Sequence, residues 1–457
     1  MNSQTSGISS SMQSSFSRGG QFPQEILGEF VEYLTDECHR KDLLNLSLAS
    51  KNLRTEAQRV LFRSLDYPGP QYCERYYEDM EMTSEAMEER PETHRLFLRA
   101  VINAPTRLGP HVRTYTSRFF VLVPANSDEH DERPLLQSHD NHWTSHCELW
   151  NLTARALPLL TQLKHLTLFL DTDWKGTAEG SGLLSYCATS ILRRCSFSLH
   201  SFSWVYNNGL LNGADDLAEF LSCQPNLQSL NLSSDPRTVL YADRIPQFQI
   251  NPGALSRLRR VSGPPSLLLT LLSGRRHINA VTWSNSIYDN NHILNIENWQ
   301  ALQGLKYLSL PDTKILHAIC PILSSVETLY VKQVPVHWHE DMSALKHLKS
   351  LRVLIMNISR FDPRYIIEIP AHQAQGTFVT NAMQMIAAQA FDACAHTLQS
   401  VYFCLSADGK PTHKLFALDD NGQLQMQVQT DDSEIMQHCR PWTPRQLSLW
   451  IHVQDYL

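Results

Sequence analysis

Residues 227–232 read LQSLNL, with apolar side chains at the first, fourth and sixth positions and polar ones between them. The last two apolar positions are spaced as in a strand with one buried face, and the interval before them suits a turn that enters a core. The same spacing recurs as Leu163-Leu166-Leu168, Leu199-Phe202-Trp204, Ile278-Val281-Trp283, Leu305-Leu308-Leu310, Val326-Leu329-Val331, Leu351-Leu354-Met356 and Leu398-Val401-Phe403, with a weaker copy at Leu258-Val261. One copy means little in an apolar chain, but so long a succession is not accidental. Many steps between copies are about 20 to 36 residues, room for one strand and a return helix or loop. Helical segments over 214–223 and 377–395 precede two of them. No such unit buries its apolar side alone, so units must stack over a shared core. The sequence therefore predicts a mixed α/β chain whose parallel strands line a concave sheet over 111–405, irregular because the spacing is uneven.

Residues between the pattern positions then point out of the free face of that sheet. They include Lys164, His165, Gln228, Ser229, Asn231, Lys306, Glu327 and Gln399, and with them Phe169, Tyr307, Tyr330, Lys332, Arg352 and Tyr402, the candidates for binding a target protein. Polar groups with interspersed Tyr and Arg suit protein recognition. Beyond the array, DDNGQ between Leu415-Ala417 and Leu424-Met426-Val428 reads as a hairpin turn. With the final PRQLSLWIHV stretch, residues 406–457 are expected to cap the last strand, which would otherwise expose an unpaired edge.

The other informative stretch, QFPQEILGEFVEYLTDECHRKDLLNLSLASKNLRTEAQRVLFRSL over 21–65, reads as three helices. Pro23 suits a first helical position, followed by the stripe Ile26, Leu27, Phe30, Val31 and Leu34. After the polar run Thr35 to Lys41, Asp42 is expected to cap a helical turn carrying Leu43, Leu44, Leu46 and Leu48. Ser50 opens a third helix with Leu53, Ala57, Val60 and Leu61. A bundle this small cannot bury all its apolar surface, so something must cover the remainder.

The order Phe22-Pro23, Glu25-Ile26, Leu34, Asp42-Leu43, Leu46, Leu48, Ser50-Lys51, Ala57, Leu61-Phe62 resembles an F-box, with Phe22 standing where the family usually has Leu. The resemblance spans residues 21–66, roughly a tenth of the chain. With the Leu96, Phe97, Ala100, Val101 helix that Thr93 is expected to open, ending before Pro105, and the strand-like Val112, Arg113 and Tyr115, the arrangement is similar to fungal F-box proteins with leucine-rich repeats. The resemblance implies a substrate receptor of an SCF-type ubiquitin ligase. Phe22, Pro23, Ile26, Leu27, Leu34, Leu43 and Leu46 would contact a Skp-type adaptor, and through it the cullin and RING subunits. The repeats would hold an unidentified target protein in the cytoplasm or nucleus. Such a subunit performs no bond chemistry itself; the alternative is a leucine-rich-repeat interaction scaffold outside degradation.

Composition narrows the remaining classes. The 457 residues are 42% hydrophobic and 19% charged with a net charge of −7, which gives no footprint for nucleic acid or an anionic membrane. The ten cysteines are scattered without a CxxC pair and read as free thiols. Residues 1–20 are Ser- and Gly-rich without an apolar run and are expected to be a disordered tail. Residues 67–110 read as a linker, with the Glu-rich run from Tyr72 to Arg90 as a solvated helix face or a flexible connector. His139, His142, His146 and Cys147 have metal-ligand spacing but no second ligand pair, so they are expected to form a surface loop and no metal is assigned. His337 and His339 likewise read as solvated. Nucleotide-binding and hydrolase motifs are missing, so neither a catalytic residue nor a cofactor is expected.

Overall fold

Each repeat begins where its backbone hands two hydrogen bonds to the one before. The carbonyl of Arg113 accepts the N–H groups of Lys164 and His165, that of Lys164 accepts those of His200 and Ser201, and the chain continues through His200, Gln228, Arg259, Asn279, Lys306, Glu327 and Arg352. These shared acceptors lock successive units in register. The computed structural model describes residues 24–34, 39–49, 51–67, 84–122, 141–173, 191–206, 214–234, 250–263 except 252, 268, 271, 277–283, 302–332 except 312 and 314, 342–357, 375–407 except 395, and 410–429 except 420.

Among the described residues, thirteen strands form one sheet in which order in space follows order in the chain. They are β1 (Ser64–Tyr67), β2 (Thr114–Leu122), β3 (His165–Asp173), β4 (Ser201–Tyr206), β5 (Ser229–Ser234), β6 (Arg260–Gly263), β7 (Ala280–Trp283), β8 (Tyr307–Leu310), β9 (Thr328–Val331), β10 (Val353–Asn357), β11 (Ser400–Ala407), β12 (Lys410–Leu418) and β13 (Leu424–Gln429). All pairings from β1 to β11 are parallel, and the last two are antiparallel. The expected pattern residues share one row across the sheet: Leu166, Phe202, Leu230, Val261, Val281, Leu308, Leu329, Leu354 and Val401. They enter a single continuous core running from Leu65 to Phe416.

An additional apolar position lies three residues ahead of the pattern. Leu160, Leu255, Leu302, Leu323 and Leu348 are each buried, and each accepts a hydrogen bond from the N–H of the first pattern residue, closing the turn into the core. Leu255 does so with φ 59°, in the left-handed region that costs an apolar side chain energy. At Gly109, an added Cβ would come within 2.3 Å of the Leu159 carbonyl, so only glycine permits that approach between neighbouring units.

Nine helices accompany the sheet among the described residues. They are α1 (Gln24–Glu32), α2 (Arg40–Ala49), α3 (Lys51–Leu61), α4 (Ser84–Asn103), α5 (Pro105–Leu108), α6 (Asn141–Ala156), α7 (Ala214–Ser222), α8 (Leu316–Ile319) and α9 (Gln375–Ala393). Three details differ from the sequence reading. Helix α4 begins at Ser84 rather than at Thr93, because Ser84–Arg90 contains good helix formers and the helix continues across Pro91. Helix α2 begins at Arg40, so Asp42 lies in its first turn, where a carboxylate favours the exposed amides, and not at the cap. The boundary expected after residue 66 falls inside β1, which pairs with β2 and ties the helices α1–α3 to the sheet.

Phe62 at the end of α3 stacks on Phe97 of α4, ring centroids 5.3 Å apart. At the other end, the expected hairpin is β12–β13, with Gly422 at φ 77° and the Asp419 Oδ1 accepting the N–H groups of Asn421 and Gln423. The stretch PRQLSLWIHV lies outside the described residues. No helix among the described residues is long and apolar enough to cross a membrane.

Candidate interaction surfaces

Helix α3 packs against both α1 and α2. Val31, Leu43, Ala57 and Val60 close a small core of their own, flanked by half-buried Leu34, Leu46, Leu53 and Leu61. Arg59 ties the helices electrostatically, donating to Glu32 at 2.6 Å and to Glu56 at 2.7 Å, while Arg63 reaches Glu32 at 2.8 Å. Of the expected adaptor contacts, Phe22 and Pro23 lie outside the described residues, Ile26 is exposed, and Leu27, Leu34 and Leu46 are half-buried. Leu43 is only 3% exposed and sits in the bundle core, so it supports the surface from beneath rather than forming it.

The exposed apolar set extends beyond the expected adaptor contacts. Ile26 and Phe30 lie at i and i+4 on α1 with Tyr33 just past its end, and Leu44 and Leu48 at i and i+4 on α2, all exposed, Leu48 by 71%. The signal for Phe30, Leu44 and Leu48 was present in the sequence: α1 and α2 each carry more apolar positions than one buried stripe can use, since Val31 and Leu43 already fill the core side.

On the face of the sheet opposite the pattern residues, one row of side chains reads Thr116, Thr167, Ser203, Asn231, Ser262, Thr282, Ser309, Tyr330, Ile355, Tyr402 and Leu415, with Thr116, Ser203, Ser262, Thr282 and Ser309 already buried. It is small and polar through β8 and apolar from β9 onward. Phe169, Tyr307 and Tyr330 are half-buried on this face, and Arg352 is exposed just ahead of β10. Tyr402 is a correction: it is 1% exposed, enclosed with Val353, Ile355 and Leu415, because β12 folds back beside β11 and brings Leu415 next to it. Lys332 is tied down as well. Its Nζ donates to the Trp283 carbonyl at 3.3 Å, and burial pushes its pKa to about 7.

Chemistry of other kinds has little material. His142, His146 and Cys147 belong to the helical backbone of α6 rather than to a loop, and His139, His337 and His339 lie outside the described residues. Among the described residues no three His, Cys, Asp or Glu gather in a way that could hold a metal ion. The described cysteines Cys195, Cys223, Cys320, Cys394 and Cys404 form no disulfide with one another. Burial raises the thiols of Cys195 and Cys320 to about 12 and that of Cys394 to about 11, the opposite of an activated nucleophile.

Compared with models of known protein families, and with curated proteins, the chain matches none of them.

Proposed function

We propose that the chain is the substrate-recognition subunit of an SCF-type cullin-RING ubiquitin ligase, with an F-box over residues 21–66 docking a Skp-type adaptor and an irregular leucine-rich-repeat solenoid holding a target protein. One observation carries the reading. Ile26, Phe30, Leu44 and Leu48 stay exposed although the bundle already has a closed core of Val31, Leu43, Ala57 and Val60. Apolar side chains left outside a satisfied core need a partner to cover them. The sequence resemblance of this same stretch supplies the identity of that partner, and the sequential parallel strands over one core are what stacked leucine-rich units require.

In this role the chain acts by proximity. Binding adaptor and target together raises the effective concentration of target lysines near the conjugating enzyme that the RING subunit carries.

The test is co-expression of the full chain with the host's Skp adaptor, followed by affinity capture and size-exclusion chromatography. A one-to-one complex is expected, lost in an Ile26→Asp/Phe30→Asp variant whose sheet still melts as in the parent. No complex from folded protein, or a complex that the variant retains, overturns the assignment.

A further inference from the structure

The edge of the sheet where the strands begin is rich in positive charge. Position by position along that edge, β2 to β7 are led in by Arg113 and Thr114, Lys164 and His165, His200 and Ser201, Gln228 and Ser229, Arg259 and Arg260, and Asn279 and Ala280. Not one of these residues is acidic. Arg257 and His277 join the same edge, and with Gln228, Ser256, Leu258 and Arg259 they line a depression of about 330 Å³.

Several cations elsewhere in the fold have carboxylate partners, among them Arg59 with Glu32, Arg99 with Glu148, Arg193 with Asp216, and Lys306 with Glu327. Among the described residues, Lys164, Arg257, Arg259 and Arg260 meet no carboxylate within ion-pair distance, although the chain holds 46 acidic residues against 39 basic ones. Their crowding is visible in their ionisation. His200 is held below its ordinary pKa by burial and then by Lys164 and Arg257, and Arg260 is lowered by burial and then by Arg259. Side chains of like charge held this close are stabilised by an arriving anion.

We infer that this edge, from Lys164 on the approach to β3 to Arg257, Arg259 and Arg260 at β6, is a docking surface for an acidic peptide segment lying across the strands. Three strand spacings separate Lys164 from Arg259, about 14 Å, the reach of four or five extended residues. Gln228, exposed on the approach to β5, lies between the cationic ends and offers its neutral side-chain amide to the segment's backbone and carboxylates. A short acidic segment suits the charge better than a long polyanion does, because the patch is local and the rest of the chain is net negative. The receptor proposed above thereby acquires a target of stated chemistry. Only the fate of that segment, ubiquitination, rests on the ligase proposal.

The experiment uses the full chain and a fluorescein-labelled peptide of alternating glutamate and serine, read by fluorescence anisotropy. A peptide with glutamine in place of glutamate is the control, beside a single-stranded oligonucleotide and phosphatidylserine vesicles. The glutamate peptide is expected to bind, to weaken as salt rises, and to lose at least about ten-fold in affinity in Arg257→Glu/Arg259→Glu, with the glutamine peptide failing to bind. Both arginines are exposed, so the thermal midpoint of that variant should match the parent. If it does not, Arg257→Gln/Arg259→Gln provides the same comparison with a smaller loss. Equal affinity in the variants, equal binding of the glutamine peptide, or tighter binding of the oligonucleotide or vesicles through the same arginines overturns the inference. Adaptor capture is scored separately on the same preparation. Peptide bound without adaptor removes the ligase reading alone, and adaptor bound without peptide removes this inference alone.

Discussion

Gln224 occupies the turn position where five other units carry leucine, and its Oε1 accepts the backbone N–H of Leu199, one unit back, at 2.8 Å. Its Nε2 donates to the Phe197 carbonyl at 3.3 Å, so a 2% exposed amide stitches two neighbouring units together where leucine would only pack. Replacing it by alanine leaves two buried backbone groups without partners, each worth about 1–3 kcal/mol. Gln224→Ala should therefore destabilise the sheet by about 2 kcal/mol or more in urea unfolding. An unchanged midpoint would show that water or a rearranged turn replaces the amide.

At Leu255 two effects oppose each other. The left-handed backbone, φ 59°, costs about 1 kcal/mol for a side chain, and glycine would recover that. Removing a buried leucine costs about 2–5 kcal/mol. Packing outweighs strain, so Leu255→Gly is expected to lower stability by at least about 1 kcal/mol in the same unfolding measurement, whereas a stabilised variant would mean that strain outweighs packing.

His94 is 2% exposed, within 3.0 Å of the Tyr115 hydroxyl, which in turn meets the Thr153 hydroxyl at 3.0 Å. Burial pushes its pKa down to about 3 from 6.5. The unfolded chain therefore takes up this proton first, and the folded state loses stability as pH falls from about 6.5 toward 3, by about 1.4 kcal/mol per unit. Its contribution is fully present above pH 6.5. Acid unfolding followed by circular dichroism should show this slope in the parent and a shallower one in His94→Gln.

In the three-helix bundle, core and surface substitutions should separate. Leu43→Ala, in the closed core, is expected to cost about 2–5 kcal/mol of local stability and to weaken adaptor binding only through unfolding. Phe30→Ala, at an exposed position, should leave the melting curve in place and weaken adaptor binding by about ten-fold to one-hundred-fold, the loss of one buried aromatic contact. Calorimetric titration of adaptor into each variant distinguishes them.

The thiols give a test of packing. Cys223 is exposed, while Cys320 and Cys394 are buried with raised pKa values, so at neutral pH iodoacetamide should modify Cys223 and spare the other two until urea unfolds the chain. Equal labelling in the native state would mean that the units around α8 and α9 open readily.

Much of this architecture is legible in the chain because it is local. A residue pattern of one, four and six sets a turn followed by a half-buried strand within a few residues, and in every copy from Leu163 to Phe403 the first position lies ahead of a strand and the later positions lie on it. The helices before Leu227 and Leu398 are equally local, decided by composition over two or more turns, as is the Asp419–Gly422 turn. The tertiary structure decided what depends on neighbours distant in sequence. That Leu43 is interior while Phe30 and Leu48 are exposed follows from how α3 meets α1 and α2, and a helix with apolar residues on two sides does not announce which side is used. Tyr402 is read as surface by alternation alone and becomes core because β12 returns antiparallel and sets Leu415 beside it. The cationic edge arises the same way: Lys164 and Arg259 are nearly a hundred positions apart, and only the parallel register brings their strands within three spacings of each other. Periodicity specifies which face of a segment is buried, whereas the partner that covers it is set by closure of the whole chain.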